Sequence, residues 1–311
     1  FAKHEFRGPG SRAFLDHILA GRVPKLGRMS LTPMLTPKGK LYGDLTVACL
    51  AEDHFMLFGS GAMQEAHRRW FELYLPESGV RYTNMSDALH GIGISGPKSR
   101  TLLQRICRDD VSAEGMKFLD IRQTFVAGAP VILARISFSG ELGYEIYTAP
   151  QYQIRLAEAL EEAGEELGLR WYGARALMSL RLEKGWGVWT LDFRPDFTVV
   201  ESGLDFFVNW DKEFIGKEPS LLQRNDGTKI KLVTLVIETN DIDVSNDEAI
   251  MFEGEAVGYV SSGGFAHYVG KSMALGYVPV ELAVGGQKLE VEILGEMFEA
   301  EVQSQPLYDG S

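Results

Sequence analysis

The chain has 311 residues and carries 31 lysines and arginines against 43 aspartates and glutamates, a formal net charge of −12. That balance argues against nucleic acid and against an anionic membrane surface as partners, because basic side chains supply most of the affinity for both. No apolar run approaches the roughly 18 residues of a membrane-spanning helix. Cys49 and Cys107 form no disulfide framework and fit a reducing compartment, so the expectation is a cytoplasmic protein, with the mitochondrial matrix as the alternative. The length allows one large domain or two to three ordinary ones. The chain opens at Phe1 without a methionine, already inside patterned sequence, and is expected to be a fragment whose upstream part is missing.

Residues 1–6 read as a short strand broken by Gly8-Pro9-Gly10, after which Ser11 can cap a helix with Phe14, Leu15, Ile18 and Leu19 on one face. Strands are expected at 31–40, ending in a turn, at 41–50 and at 54–58, followed by a helix carrying Met63, Ala66, Trp70, Phe71 and Leu73. A further strand at 89–96 leads through Gly96-Pro97 into a helix with proline at its first position. The run Gly8-Pro9-Gly10-Ser11-Arg12-Ala13-Phe14-Leu15 echoes Gly96-Pro97-Lys98-Ser99-Arg100-Thr101-Leu102-Leu103, which suggests two α+β layers built alike. Strands at 123–128 and 131–138 precede a tight turn at Gly140 and Gly143. Tyr144 and Ile146 then alternate with Glu145 and Tyr147 in another strand. An amphipathic helix is expected at 152–167, with Leu156, Leu160 and Ala163 inward, and another at 174–184, ended by Gly185. The polar stretch 223–228 reads as a domain boundary. Beyond it, short strands at 231–238, 249–252, 256–261, 272–280, 288–294 and 297–303, with turns at Glu253-Gly254, Gly285-Gly286 and Gly295-Glu296, have the spacing of a small β-barrel or sandwich.

Two motifs resemble nucleotide sites and fail on context. Gly91-Ile92-Gly93-Ile94-Ser95-Gly96 matches the dinucleotide fingerprint, but no clear strand ends in an acid about 20 residues further on. The stretch from Gly264 to Ser272 resembles a phosphate loop with one residue too many and leads into a strand, so a hairpin turn is expected there. The six histidines show no metal-ligand spacing, and no metal site is expected. His17 and His67 fall on helices, at partly buried or surface positions.

Four polar residues stand out. Asp44 interrupts a strand-forming run just after Gly43, and Glu145 follows Gly143. On alternation alone, Glu145 is either a solvated strand residue or an acceptor aimed into a cleft. Arg175 opens a helix, against the macrodipole, so a local reason is wanted. Tyr308 lies in Pro306-Leu307-Tyr308-Asp309.

Together with Ser139-Gly140-Glu141-Leu142-Gly143-Tyr144-Glu145-Ile146, Gly173-Ala174-Arg175-Ala176, Glu201-Ser202-Gly203-Leu204-Asp205 and Gly270-Lys271-Ser272-Met273-Ala274-Leu275-Gly276-Tyr277, these residues occur in an order that resembles the folate-binding aminomethyltransferases, the glycine-cleavage T-protein and its relatives. The runs Leu31-Thr32-Pro33-Met34-Leu35 and Gly43-Asp44-Leu45-Thr46-Val47 look most like the C-terminal half of dimethylglycine and sarcosine dehydrogenases. Ala48 and Leu31 stand where the free T-protein carries tyrosines, a departure that bears on glycine-cleavage activity.

The resemblance implies a three-domain, clover-like α+β fold, with two ferredoxin-like layers (1–87 and 88–222) and a C-terminal small β-barrel (223–311). It implies a one-carbon transfer module that captures the methylene unit of an oxidised N-methyl amine on tetrahydrofolate, with FAD on a missing upstream or partner domain. A T-protein-like aminomethyltransferase, a folate-dependent methyltransferase or demethylase and a non-catalytic folate-binding protein are the alternatives. By the same resemblance Asp44 is the catalytic aspartate, and Glu145, Arg175 and Tyr308 hold the folate. A pterin edge presents adjacent N–H donors that suit a carboxylate.

Overall fold

A computed structural model describes residues 1–308 and shows a mixed α+β chain. The chain divides into two compact units, the first made of Phe1–Leu35, Gly43–Trp171 and Phe207–Ile215, the second of Thr36–Tyr42, Tyr172–Phe206 and Gly216–Ser311. Residues 309–311, the end of the expected barrel domain, lie outside the described residues.

The first unit contains β1 (Ala2–Arg7), α1 (Ser11–Ile18), β2 (Met29–Leu35), β3 (Leu41–Ala51, whose first two residues are counted with the second unit), β4 (His54–Gly59), α2 (Gln64–Tyr74) and β5 (Arg81–Asn84). It continues with β6 (His90–Ser95), α3 (Ser99–Ile106), β7 (Ile121–Val126), β8 (Ala129–Ala134), β9 (Gly143–Thr148) and α4 (Gln153–Gly164). The strands form two sheets, in the orders β2-β3-β4-β1-β5 and β6-β9-β8-β7. The internal echo is structural as well as textual. Gly8 at φ 122° and Gly96 at φ 116° turn the chain out of β1 and β6. In both places the serine three residues on donates its amide to that glycine's carbonyl at 3.0 Å and starts an eight-residue helix.

Period-two alternation gives each strand two faces. Met29, Ala48, Met56 and Phe58 of the first sheet pack against Ile121, Ala134 and Tyr147 of the second. The opposite face of the second sheet, with Ile94, Val131, Tyr144 and Ile146, is covered by Leu102 and Leu103 of α3 and Leu156 and Leu160 of α4. Sheet pairing is antiparallel for β6 with β9 and β7 with β8, so the glycine fingerprint lies on an antiparallel edge strand and not in a parallel nucleotide-binding unit.

Several local readings change. Ser11 and Ser99 are the first helical residues and no side chain caps either helix, because the glycine turn before each already supplies backbone acceptors. Pro97 accordingly precedes its helix. Leu73 is exposed, and the buried stripe of α2 is His67 and Phe71 at i, i+4 spacing, so His67 is a core residue. The connection from β8 to β9 spans 135–142 with Gly140 at φ 90°, a wider loop than a tight turn. Strand β5, too polar to signal itself, is held by antiparallel pairing with β1.

The second unit contains α5 (Ala174–Glu183), α6 (Lys217–Asp226), β10 (Ile230–Ile237), β11 (Ala249–Phe252), β12 (Glu255–Ala266), β13 (Lys271–Pro279), β14 (Lys288–Ile293) and β15 (Glu296–Gln303). The strands close a barrel in the order β10-β13-β12-β11-β14-β15 around Leu235, Ile250, Val260, Ala274, Val278 and Val291. The β12–β13 connection is the hairpin expected in place of a phosphate loop. The polar segment read as a boundary at 223–228 is largely the last turn of α6, which Gly227 ends with φ 88°. Its polarity is that of a solvated helix face.

A buried charge network ties α5 to the barrel. Arg181 donates to Asp192 Oδ2 at 2.7 Å, the Val188 amide donates to the same oxygen at 2.8 Å, and Ser261 and Ser262 donate to Oδ1 at 2.5 and 2.6 Å. Tyr277 Oη donates to the Asp192 carbonyl at 2.8 Å. Arg181 and Asp192 are 1% and 0% exposed, so neither charge can turn to water if the other is removed. Asp192→Ala is therefore expected to destabilise the chain by about 3–5 kcal/mol, read as a lower urea midpoint. Adding Arg181→Met should recover part of the loss, since no charge is then left unpaired; an unchanged midpoint in Asp192→Ala would contradict the network's role.

Candidate functional site

Asp44 lies on β3, where Leu45, Val47 and Cys49 are fully buried on one face. Alternation places Asp44 with Thr46 and Ala48 on the other face, the one that carries Ala48 into the contact with the second sheet. Gly43 explains the break before it. A Cβ at Gly43 would stand 3.0 Å from His67 Nε2, so the buried ring of α2 lies against bare backbone there. Asp44 keeps some accessible surface, yet its carboxyl is desolvated, and burial pushes its pKa up to about 7 against a hydrogen bond to its own backbone that favours the ionised form. A carboxyl that titrates about 7 is suited to exchanging a proton at neutral pH.

Glu145 is the third residue of β9. Its Cα partners across the sheet are Gly93 on β6 and Ala134 on β8. A Cβ built at Gly93 meets nothing within 4 Å, so the carboxylate stands beside open space on that side. The Tyr147 hydroxyl, two residues along on the same face, donates to Glu145 Oε2. The Tyr147 ring stacks on Phe58 of β4 with centroids 4.6 Å apart. Burial raises the Glu145 pKa, opposed first by the Tyr147 hydrogen bond, with the positive charge of Lys3 acting the same way. Lys3, the β1 partner of Phe58, is 7% exposed, and burial lowers its pKa in turn.

Of the four residues singled out in the sequence, Asp44 and Glu145 lie in the first unit, Arg175 and Tyr308 in the second. Arg175 is the second residue of α5, exposed, and makes no hydrogen bond or ion pair among the described residues. Tyr308 is half-buried; its amide donates to the Glu183 carbonyl at 3.0 Å, and its ring meets Tyr268 edge-on at 4.7 Å. Arg175 and Tyr308 thus mark opposite ends of α5, about 12 Å apart at 1.5 Å per residue. No cluster of metal-ligating side chains forms among the described residues.

Sequence reasoning missed Tyr147, Phe58, Lys3 and Gly93. Alternation along 143–148 already put Tyr147 on the Glu145 face. Phe58, Lys3 and Gly93 reach the site through pairings across 52 to 142 residues of chain, which carry no local signal.

Residues 1–212 match the family profile described as GCVT N-terminal domain, and residues 231–309 match the Glycine cleavage T-protein C-terminal barrel domain. The chain belongs to the glycine cleavage T-protein family. Among members, it is 37% identical over 279 residues to human mitochondrial dimethylglycine dehydrogenase, covering 88% of this chain and 32% of that protein. The chain therefore spans about a third of the length of that relative. It is 30% identical over 272 residues to an aminomethyltransferase of Halothermothrix orenii, covering 86% of this chain and 75% of the relative. The crystal structure of the glycine cleavage system aminomethyltransferase T from Bartonella henselae shares the fold, with a TM-score of 0.90 over 99% of this chain and 84% of that one at 24% identity. The expected α+β fold with a C-terminal β-barrel is that of the family.

The Asp44 carboxyl has a consequence for stability. It ionises at 3.8 in the unfolded chain and about 7 in the folded one, so between those values the folded state holds a proton the unfolded state has lost. Stability from this group accordingly falls as pH rises through that window. Asp44→Asn removes the penalty. The variant should match the parent in thermal stability at pH 4 and exceed it at pH 8, by at most about 4 kcal/mol. A gap that fails to widen between the two pH values would count against a desolvated carboxyl at this position.

Proposed function

We propose that this chain is a tetrahydrofolate-dependent one-carbon transfer module in which Asp44 exchanges the proton and Glu145 holds the pterin. The observation that carries this reading is the placement of two partly accessible acids on the two packed sheets of the first unit, Asp44 on β3 and Glu145 on β9, with burial pushing the Asp44 carboxyl up to about 7. Tetrahydrofolate is the accepting substrate. Glu145 fits it: it is an accessible acceptor beside the open space at Gly93, suited to a flat ring that presents neighbouring N–H donors.

In the reaction, a folate nitrogen bonds to the methylene carbon of a substrate iminium. The iminium π electrons return to the substrate nitrogen, and the proton released from the folate nitrogen passes to the Asp44 carboxylate. That proton then goes to the amine nitrogen, whose bond to the methylene carbon breaks as the first folate nitrogen donates its lone pair, and the second folate nitrogen closes on the carbon and gives up its own proton. While ionised, the same carboxylate favours the cation before attack. In the second unit, the exposed Arg175 guanidinium is a fork suited to an anionic group, and Tyr308 stands at the other end of α5.

The amine is proposed to be of the dimethylglycine or sarcosine type, oxidised by FAD on a preceding or partner domain. The identity to dimethylglycine dehydrogenase over 88% of this chain supports that choice. Titration calorimetry and single-turnover kinetics test the reading together. Asp44→Asn should bind tetrahydrofolate within about threefold of the parent and transfer the methylene unit about 10²–10⁴-fold more slowly. Glu145→Ala should weaken binding about ten- to a hundredfold. Undiminished turnover in Asp44→Asn would refute its role, and a parent chain that binds but never turns over would be a folate-binding protein without the chemistry.

A further inference from the structure

We infer that Tyr147 is a positioning residue for Glu145, its hydroxyl fixing one carboxylate oxygen so that the other meets the N–H edge of a planar heterocycle lying along the Gly93 side. The inference rests on the assignment of Glu145 to the pterin. The Tyr147 hydroxyl donates to Glu145 Oε2, and no other hydrogen bond to Glu145 forms among the described residues. The tyrosine has little freedom to do anything else. It is 2% exposed, and its ring is stacked on Phe58 at 4.6 Å. On the β6 side its Cα partner is Gly91, where an added Cβ would come within 3.0 Å of the ring. Gly91 and Gly93 therefore do different work. The first makes room for the tyrosine ring, and the second leaves the ground beside the carboxylate clear.

A merely structural tyrosine would fill this space as well as phenylalanine does. The hydroxyl adds one thing a ring cannot: a donor that holds a desolvated carboxyl in the ionised form and in one orientation. Another charge that faces Glu145 is Lys3 on β1, with Asp87 beyond Lys3. Both remain in Tyr147→Phe. Without the hydroxyl, Glu145 should hold its proton to higher pH, and a protonated carboxyl accepts fewer N–H bonds.

The test uses Tyr147→Phe and Glu145→Gln in the full chain, with tetrahydrofolate binding measured anaerobically by calorimetry between pH 6 and pH 8.5. Carboxyl-carbon NMR of the ligand-free chain follows the Glu145 titration. Tyr147→Phe is expected to keep the parent's melting temperature, to bind on the order of tenfold more weakly at pH 6, and to recover toward the parent as pH rises. Its Glu145 resonance should titrate at higher pH than in the parent. Glu145→Gln should bind weakly at every pH. Parent-like affinity across the range in Tyr147→Phe, with an unshifted Glu145 titration, overturns the inference while leaving Glu145 as the ligand group. Parent-like affinity in Glu145→Gln, or no binding by the parent, removes the assignment of Glu145 and this inference with it.

Discussion

The stack of Phe58 on Tyr147 joins the two sheets of the first unit, and the chemistry proposed here depends on that contact. Phe58 sits on β4 opposite Lys3 on one side and Thr46 on the other, two residues along β3 from Asp44. Tyr147 sits on β9 two residues from Glu145. One aromatic pair thus fixes how the face carrying one acid meets the face carrying the other. Aromatic pairs of this kind add about 0.5–1.5 kcal/mol beyond the area they bury. The larger return is geometric, because ring planes cannot slide without opening the packed layer around Met56, Ile121 and Ala134.

Placing carboxyls at the edge of such a layer costs stability, and the same desolvation raises their pKa values. Asp44 and Glu145 are both raised by burial, though their surroundings differ. Among the described residues the Asp44 carboxyl bonds to its own backbone, and its pKa of about 7 suits a group that exchanges a proton at neutral pH. Glu145 is met by a tyrosine hydroxyl and positive charge, which oppose protonation. Two acids pushed the same way by desolvation but held differently by their neighbours are suited to two tasks, one transferring a proton and one accepting hydrogen bonds.

The second unit solves a different problem with the same materials. Asp192 is fully buried but shared among Arg181, Ser261, Ser262 and the Val188 amide, so its charge is spent on holding α5 to the barrel wall. Glu145 is the contrast: a single protein donor, the Tyr147 hydroxyl, meets it among the described residues, against four for the Asp192 carboxylate. Nothing in the local sequence around Asp192, between Leu191 and Phe193, marks it as the more deeply buried of the two.

Much of the architecture was legible from residues near one another in the chain. Alternation along 143–148, the glycine turn and helix repeated at Gly8 and Gly96, and the strand spacing after residue 229 follow from contacts a few residues apart. Short-range periodicity of that kind is written directly into sequence. The ordered run of motifs pointed to the family, and the family profiles matched at 1–212 and 231–309 agree. Strand β5, the burial of His67, the bare edge at Gly93 beside Glu145 and the Phe58–Tyr147 stack were decided by tertiary structure. Each depends on which strand or helix lies alongside, a choice made by packing between segments tens of residues apart, and no single stretch of the chain carries that information.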